Sequence, residues 1–198
     1  MLPRKLSLCS AAFALTAFAQ AAYSQTPALP DAYTVTQVNS MFGPPVTQTI
    51  SRSGNKALVE TASAAHTMML YDLAAGTTTS WSAANPTSCG SGKFSGDWGD
   101  PFVQSAGIAK DLMKQNPKDL GAATVNGLAT KLLELAPGPG NPVSGKVWLE
   151  VKTGIIAKLE VSQGGAAART MLEVKSLDLA PPPASRFAPP AACRPAQR

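Results

Sequence analysis

Residues 145–161, Gly-Lys-Val-Trp-Leu-Glu-Val-Lys-Thr-Gly-Ile-Ile-Ala-Lys-Leu-Glu-Val, carry the clearest alternation in the chain. Val147, Leu149 and Val151 share one face before Thr153-Gly154, and Ile155, Ala157, Leu159 and Val161 share one after it. A period of two on both sides of a short turn predicts a β-hairpin. Lys146, Glu150, Lys152, Lys158 and Glu160 lie on the other face, which is therefore expected to meet water while the first covers a core.

The same reading extends in both directions. Residues 33–38, 46–52 and 56–61 are Thr/Val-rich runs of strand length separated by turn residues, and they predict an antiparallel meander. Residues 66–73 hold an unbroken apolar run through Met68, Met69, Leu70 and Tyr71, which implies burial on both faces or one face against a cavity, and residues 77–81 resume β composition. Five Gly or Pro residues between 85 and 99 predict a loop. Asp100-Pro101 then reads as an N-cap followed by proline at the first helical position. Phe102, Ala106, Ala109 and Met113 recur at helical spacing until Asn116-Pro117, so one amphipathic helix is predicted over 101–115.

In residues 122–135, Leu128, Leu132 and Leu135 also fit a helix, but Asn126-Gly127 and the β-rich neighbours favour two strands at a tight turn. Residues 137–142 form a Pro/Gly connector, residues 169–179 a last strand, and Pro181-Pro182-Pro183 is expected to end regular structure. Nine or ten strands and one helix predict a mainly β (α+β) domain. Its expected form is an incomplete, strongly curved antiparallel β-barrel with one covering α-helix.

Composition adds a compartment. Arg4 and Lys5 precede an apolar run to about Ala22, with small residues for cleavage before Gln25, which predicts a signal peptide over 1–24 and a periplasmic or secreted protein. Cys9 lies inside that run rather than at its end, as a signal-peptide residue does. Residues 25–31 read as a flexible lead-in, 32–193 as one domain and 194–198 as a disordered tail, with no transmembrane segment expected in the mature chain. Losing Arg4 and Lys5 takes the 17 basic residues against 12 acidic ones to a mature charge of about +3, and no basic run interleaves with aromatics, so no nucleic-acid partner is expected. In an oxidising compartment the two remaining cysteines, Cys89 and Cys193, are expected to form a disulfide.

Catalytic chemistry is not evident. The one histidine, His66, has no nucleophile motif with it and is expected to be structural; Asp97 and Asp100 make a weak pair; and Gly90-Ser91-Gly92-Lys93 lacks the spacing of a phosphate loop. The chain is expected not to be an enzyme and to need no cofactor or metal. Its Met and aromatic groups are those that line apolar cavities, and the candidate lining residues are Met68, Leu70, Met69, Phe102, Ala109, Met113 and Trp148, with Met41, Phe42 and Ile108 of the same character.

The meander, the single helix midway, Val125-Asn126-Gly127, the hairpin Val147-Trp148-Leu149-Glu150-Val151-Lys152-Thr153-Gly154 and the closing Phe187-Ala188-Pro189-Pro190 together resemble the LolA/LolB-like superfamily. Within it they resemble a poorly characterised exported group whose late hairpin reads Trp-x-Asp-x-x-Thr-Gly and which ends soon after Phe-x-x-Pro. Trp148 and Thr153-Gly154 match that hairpin, whereas Glu150 stands where aspartate is commoner and residues 89–98 are an insertion. The resemblance implies a half-barrel with a helix closing an apolar cavity for acyl chains. Expected partners are lipids or lipoprotein acyl chains, and envelope proteins. The alternative is a structural or interaction domain of the envelope with a filled barrel and no ligand.

Overall fold

The computed structural model describes residues 29–41, 43–94, 96, 98–137 and 143–193. The signal peptide, Cys9, Phe42, Asp97, most of the 137–142 connector and the 194–198 tail lie outside the described residues. The strands are β1 (Ala32–Asn39), β2 (Val46–Ser53), β3 (Lys56–Ala62), β4 (Thr67–Asp72), β5 (Thr77–Ser82), β6 (Cys89–Lys93), β7 (Lys118–Val125), β8 (Leu128–Leu135), β9 (Val143–Glu150), β10 (Ile156–Gln163) and β11 (Arg169–Asp178). One helix, α1 (Pro101–Met113), separates β6 from β7. All eleven strands form one antiparallel sheet in the order β6-β5-β4-β3-β2-β1-β11-β10-β9-β8-β7. The sheet does not close: β6 and β7 are its two edges.

The extra strand is β6. Its Cys-Gly-Ser-Gly-Lys composition hides it from any propensity reading, and it forms because the backbone pairs with β5 from Thr77↔Lys93 to Trp81↔Cys89. At the other edge β7 starts at Lys118, earlier than its apolar residues indicate, and meets β8 across the predicted turn, where Asn126 and Gly127 both have positive φ. Helix α1 stops at Met113, two residues before the expected end, because Asn116 turns into the left-handed region. Two 3₁₀ turns, Ala184–Phe187 and Ala191–Cys193, follow the three prolines where regular structure was expected to have ended.

Curvature follows from one contact. The Asn126 side chain, at the β7–β8 turn, donates to the Val174 carbonyl on β11 at 2.7 Å, although β9 and β10 stand between β8 and β11. In a flat sheet those strands lie about 14 Å apart, so the sheet is strongly coiled.

Coiling gives the sheet two unlike faces. On one, Tyr33, Val35, Ile50, Ile155 and Val174 pack with Phe102 of α1, while Leu133, Val147, Leu149, Ile156, Leu159 and Leu172 pack with Ile108, Ala109 and Leu112 of the same helix. The helix thus spans two adjoining parts of one core. On the opposite face, Leu58, Leu70 and Trp81 are buried with Cys193, and Met68 and Phe187 pack against them. The double-sided apolar run in β4 therefore covers two separate cores, as an unbroken run in a two-faced strand does.

The 145–161 hairpin forms with Thr153-Gly154 in its turn, and two of its residues differ from expectation. Glu150 is buried rather than solvated: its Oε2 accepts from the Lys152 and Thr153 amides at 3.1 and 2.7 Å and from the Thr153 hydroxyl at 2.7 Å. Val151, expected on the core face, sits in that turn and is 55 % exposed. A bulge between Ile156 and Lys158 lets both Ile155 and Ile156 bury, which a strict period of two forbids.

Across the solvated face the register places Glu134, Lys146 and Glu160 in one row, and Trp148, Lys158 and Glu173 in the next. Lys158 pairs with Glu160 at 2.7 Å and stands 5.1 Å from the centre of the Trp148 ring. Opposed charges at these positions stabilise one register over its one-residue slip. Lys175, and after it the Asn126 amide, holds the Glu173 carboxyl below the ordinary range, against a smaller opposing effect of burial. A lowered carboxyl pKa contributes stability that is present above the unfolded value of 4.5 and is lost as pH falls through the folded value. Glu173→Gln is therefore expected to lower the urea midpoint near neutral pH, by at most about 1 kcal/mol for so exposed a pair, with the difference shrinking as the carboxylate is protonated below the unfolded value of 4.5. A difference that grows on acidification overturns this assignment.

Candidate ligand groove beneath the helix

The groove is built by the anchors that set α1 on the sheet. Asp100 caps the helix as its sequence position predicts, with Oδ1 accepting from the Phe102 and Val103 amides at 2.8 and 3.3 Å. Its Oδ2 accepts from Arg52 Nη1 at 2.9 Å, so the cap is also tied to β2, and the carboxylate is buried. Beside the bulge in β10 the Ile156 amide donates to the Ser105 hydroxyl of α1 at 3.1 Å. Aromatic packing completes the anchored end: Tyr33 and Phe102 lie 4.6 Å apart, and Tyr71 meets Trp98 at 5.7 Å and Phe94 at 5.4 Å. Burial there raises the pKa of the Tyr71 phenol.

Along its first two turns, from Pro101 to Ile108, α1 stands over Met41, Ile156, Leu159 and Leu172, and with Ile108 these line an apolar groove. Gln37, Gln104 and Ser105 add polar groups, and Gln37 donates to Gln48 at 3.3 Å. The open space amounts to about 20 Å³, room for a single water molecule.

The expected lining residues fall in three places. Phe102 and Ala109 face the sheet from α1, and Met69 lies on the helix side of β4 by alternation with Leu70. Met68 and Leu70 belong to the opposite face, under residues 187–193, and Trp148 lies with Lys158 on the solvated face of the hairpin. Met113 is 49 % exposed. The helix is turned one position from the Phe102-Ala106-Ala109-Met113 stripe: its inward face is Phe102, Ser105, Ala109 and Leu112. A serine in the seam disguises it, because Ser105 is buried for its hydroxyl. Cys89 and Cys193 do form the expected disulfide, with Cα atoms 5.4 Å apart.

His66 is an exposed turn residue with positive φ. Among the described residues no three His, Cys, Asp or Glu side chains gather to hold a metal, and no helix is long and apolar enough to cross a membrane. Arg52, Ser105 and Gln37 are site residues that sequence reasoning misses. Spacing at 102, 105, 109 and 112 marks Ser105 once a small polar residue is admitted to the seam, whereas nothing local marks Arg52.

No family model matches the chain, and no curated protein matches it in sequence. Solved structures do. MucB aligns with a TM-score of 0.54 and 15 % identity over 83 % of this chain and 59 % of that one. The Pseudomonas aeruginosa MucA/MucB complex gives 0.55 and 16 % over 82 % and 57 %. MucB in complex with MucA(peri) gives 0.54 and 15 % over 84 % and 57 %. The chain thus spans less than two thirds of the structures it resembles, and at these identities the likeness is one of fold.

Proposed function

We propose that this chain is a non-enzymatic binding module of the cell envelope, exported by its N-terminal segment, whose occupant is a partner polypeptide. The observation that carries this reading is the shared fold with MucB, which two of the similar structures hold in complex with MucA. The open sheet supports it, because β6 and β7 are its two edges, and a strand edge is the usual starting point for pairing with another chain.

The second reading is an acyl chain or lipoprotein lipid under α1, as the LolA/LolB-like resemblance implies, and the apolar lining of the groove favours it. It requires the helix to lift, since small-molecule sites enclose about 300–1,000 Å³ and the groove offers about 20 Å³. Such a movement must break the Ser105–Ile156 bond or pivot on the Arg52–Asp100 anchor.

Native mass spectrometry decides between them, on mature protein purified from the periplasm without detergent, alongside an Ile108→Trp variant that fills the groove. A bound polypeptide in both samples supports the first reading. A lipid mass that disappears in the folded variant supports the second. Bare protein in both, with no uptake of added fatty acid, overturns the binding module itself.

A further inference from the structure

The face of the sheet away from α1 is covered by the chain's own last residues. After β11 ends at Asp178, residues 181–193 cross β2 to β5 and finish beside β6. This strap carries Pro181, Pro182, Pro183, Pro189 and Pro190, and its backbone bonds close its own turns: the Arg186 amide to Pro183, Ala188 to Ser185, and Cys193 to Pro190. Side chains hold it to the sheet. Arg186 Nη2 meets Glu60 at 2.7 Å and its Nε donates to the Ser51 hydroxyl at 2.7 Å. Phe187 packs against Leu58, Leu70 and Trp81, and the Cys89–Cys193 bond ties down the far end.

The two sulfurs of that bond are unlike. Cys193 is 6 % exposed, buried against Leu58, Leu70 and Trp81, while Cys89 lies in an edge strand whose five residues are all exposed. Thiol–disulfide exchange needs access to the attacked sulfur, so Cys89 is the one within reach.

We propose that the strap is a redox-controlled cover: reduction at Cys89 frees residues 181–193 and uncovers the apolar surface of Met68, Leu70, Leu58 and Trp81, while the sheet stays folded. The reductant is an external dithiol. Its thiolate attacks Cys89 Sγ, the Cys89–Cys193 bond breaks, and Cys193 leaves as a thiolate that takes up a proton. The second thiol of the reductant then displaces Cys89 from the mixed disulfide, leaving two protein thiols and an oxidised reductant. The sheet survives because its ladders run unbroken from β6 to β7 independently of the strap, whereas the freed strap loses its covalent tie and is left with non-covalent contacts, among them those of Arg186 and Phe187.

Limited trypsin digestion tests this on the full mature chain, with dithiothreitol as the probe and the Arg186–Phe187 cut followed by mass spectrometry. Complete reduction, verified by alkylation of both thiols, is expected to raise the rate of that cut at least tenfold with far-ultraviolet circular dichroism unchanged. Cys193→Ser without reductant is expected to give the same rate as reduced wild type. A cut rate unmoved by complete reduction, or loss of the sheet signal together with the strap, overturns the proposal.

Discussion

Asp100→Ala is expected to lower the free energy of unfolding by about 3–5 kcal/mol, the usual cost of breaking a buried ion pair by removing one partner. Two losses combine. The Phe102 and Val103 amides lose their acceptor at the helix start, worth about 0.5–2 kcal/mol. Arg52, whose side chain is 14 % exposed, is left without the carboxylate that neutralises it. Asp100→Asn separates the two, because asparagine caps about as well as aspartate but carries no charge. Urea denaturation is expected to place it between wild type and alanine. If asparagine is indistinguishable from wild type, the ion pair contributes nothing; if it matches alanine, the cap contributes nothing.

The second large effect comes from the smallest of substitutions. A Cβ added at Gly145 lies 2.3 Å from the Glu160 carbonyl oxygen and 3.4 Å from the Val161 Cα, both backbone atoms of the neighbouring strand. Neither atom can turn aside, because β9 and β10 are held together by their ladder on both sides of Gly145↔Val161. Gly145→Ala is therefore expected to destabilise by about 3 kcal/mol, as overpacking does. The opposing gain from a stiffer unfolded chain is about 0.4–1 kcal/mol, too little to reverse the sign. Gly107 is the control: it sits exposed on α1 with nothing within 4 Å of an added Cβ. Alanine there is expected to stabilise by up to about 1 kcal/mol. Thermal melts moving in the same direction for both variants would overturn the steric account of Gly145.

These two positions also mark how far the sequence can be read. Asp100 as a cap was legible, since an N-cap is a local signal completed within three residues. Its partner was not, because Arg52 lies 48 residues earlier, in β2, and only the fold brings it to the helix. The hairpin and Asn126-Gly127 turns were legible for the same local reason, and β6 was not, because its five residues gain their strand conformation from pairing with β5. The candidate site fared according to the same divide. Alternation shows that Met68, Met69 and Leu70 are buried but not which face the helix covers, and that choice sends Met68 and Leu70 beneath the strap. Glu150 misleads because a carboxylate that clasps its own turn looks, in one dimension, like a surface charge.

The order of the strands has a consequence for how the chain is made. Strands β1 to β6 form one meander and β7 to β11 another, and sheet pairing joins them along a single seam where β1 lies against β11. During synthesis from the N-terminus, β1 acquires β2 at once but waits for nearly the whole chain before its other side is paired. Through that interval Tyr33 and Val35, both wholly buried in the finished protein, stand beside an open strand edge, the situation in which nascent β-proteins aggregate. The last of the described strands to be synthesised completes the middle of the sheet rather than its rim.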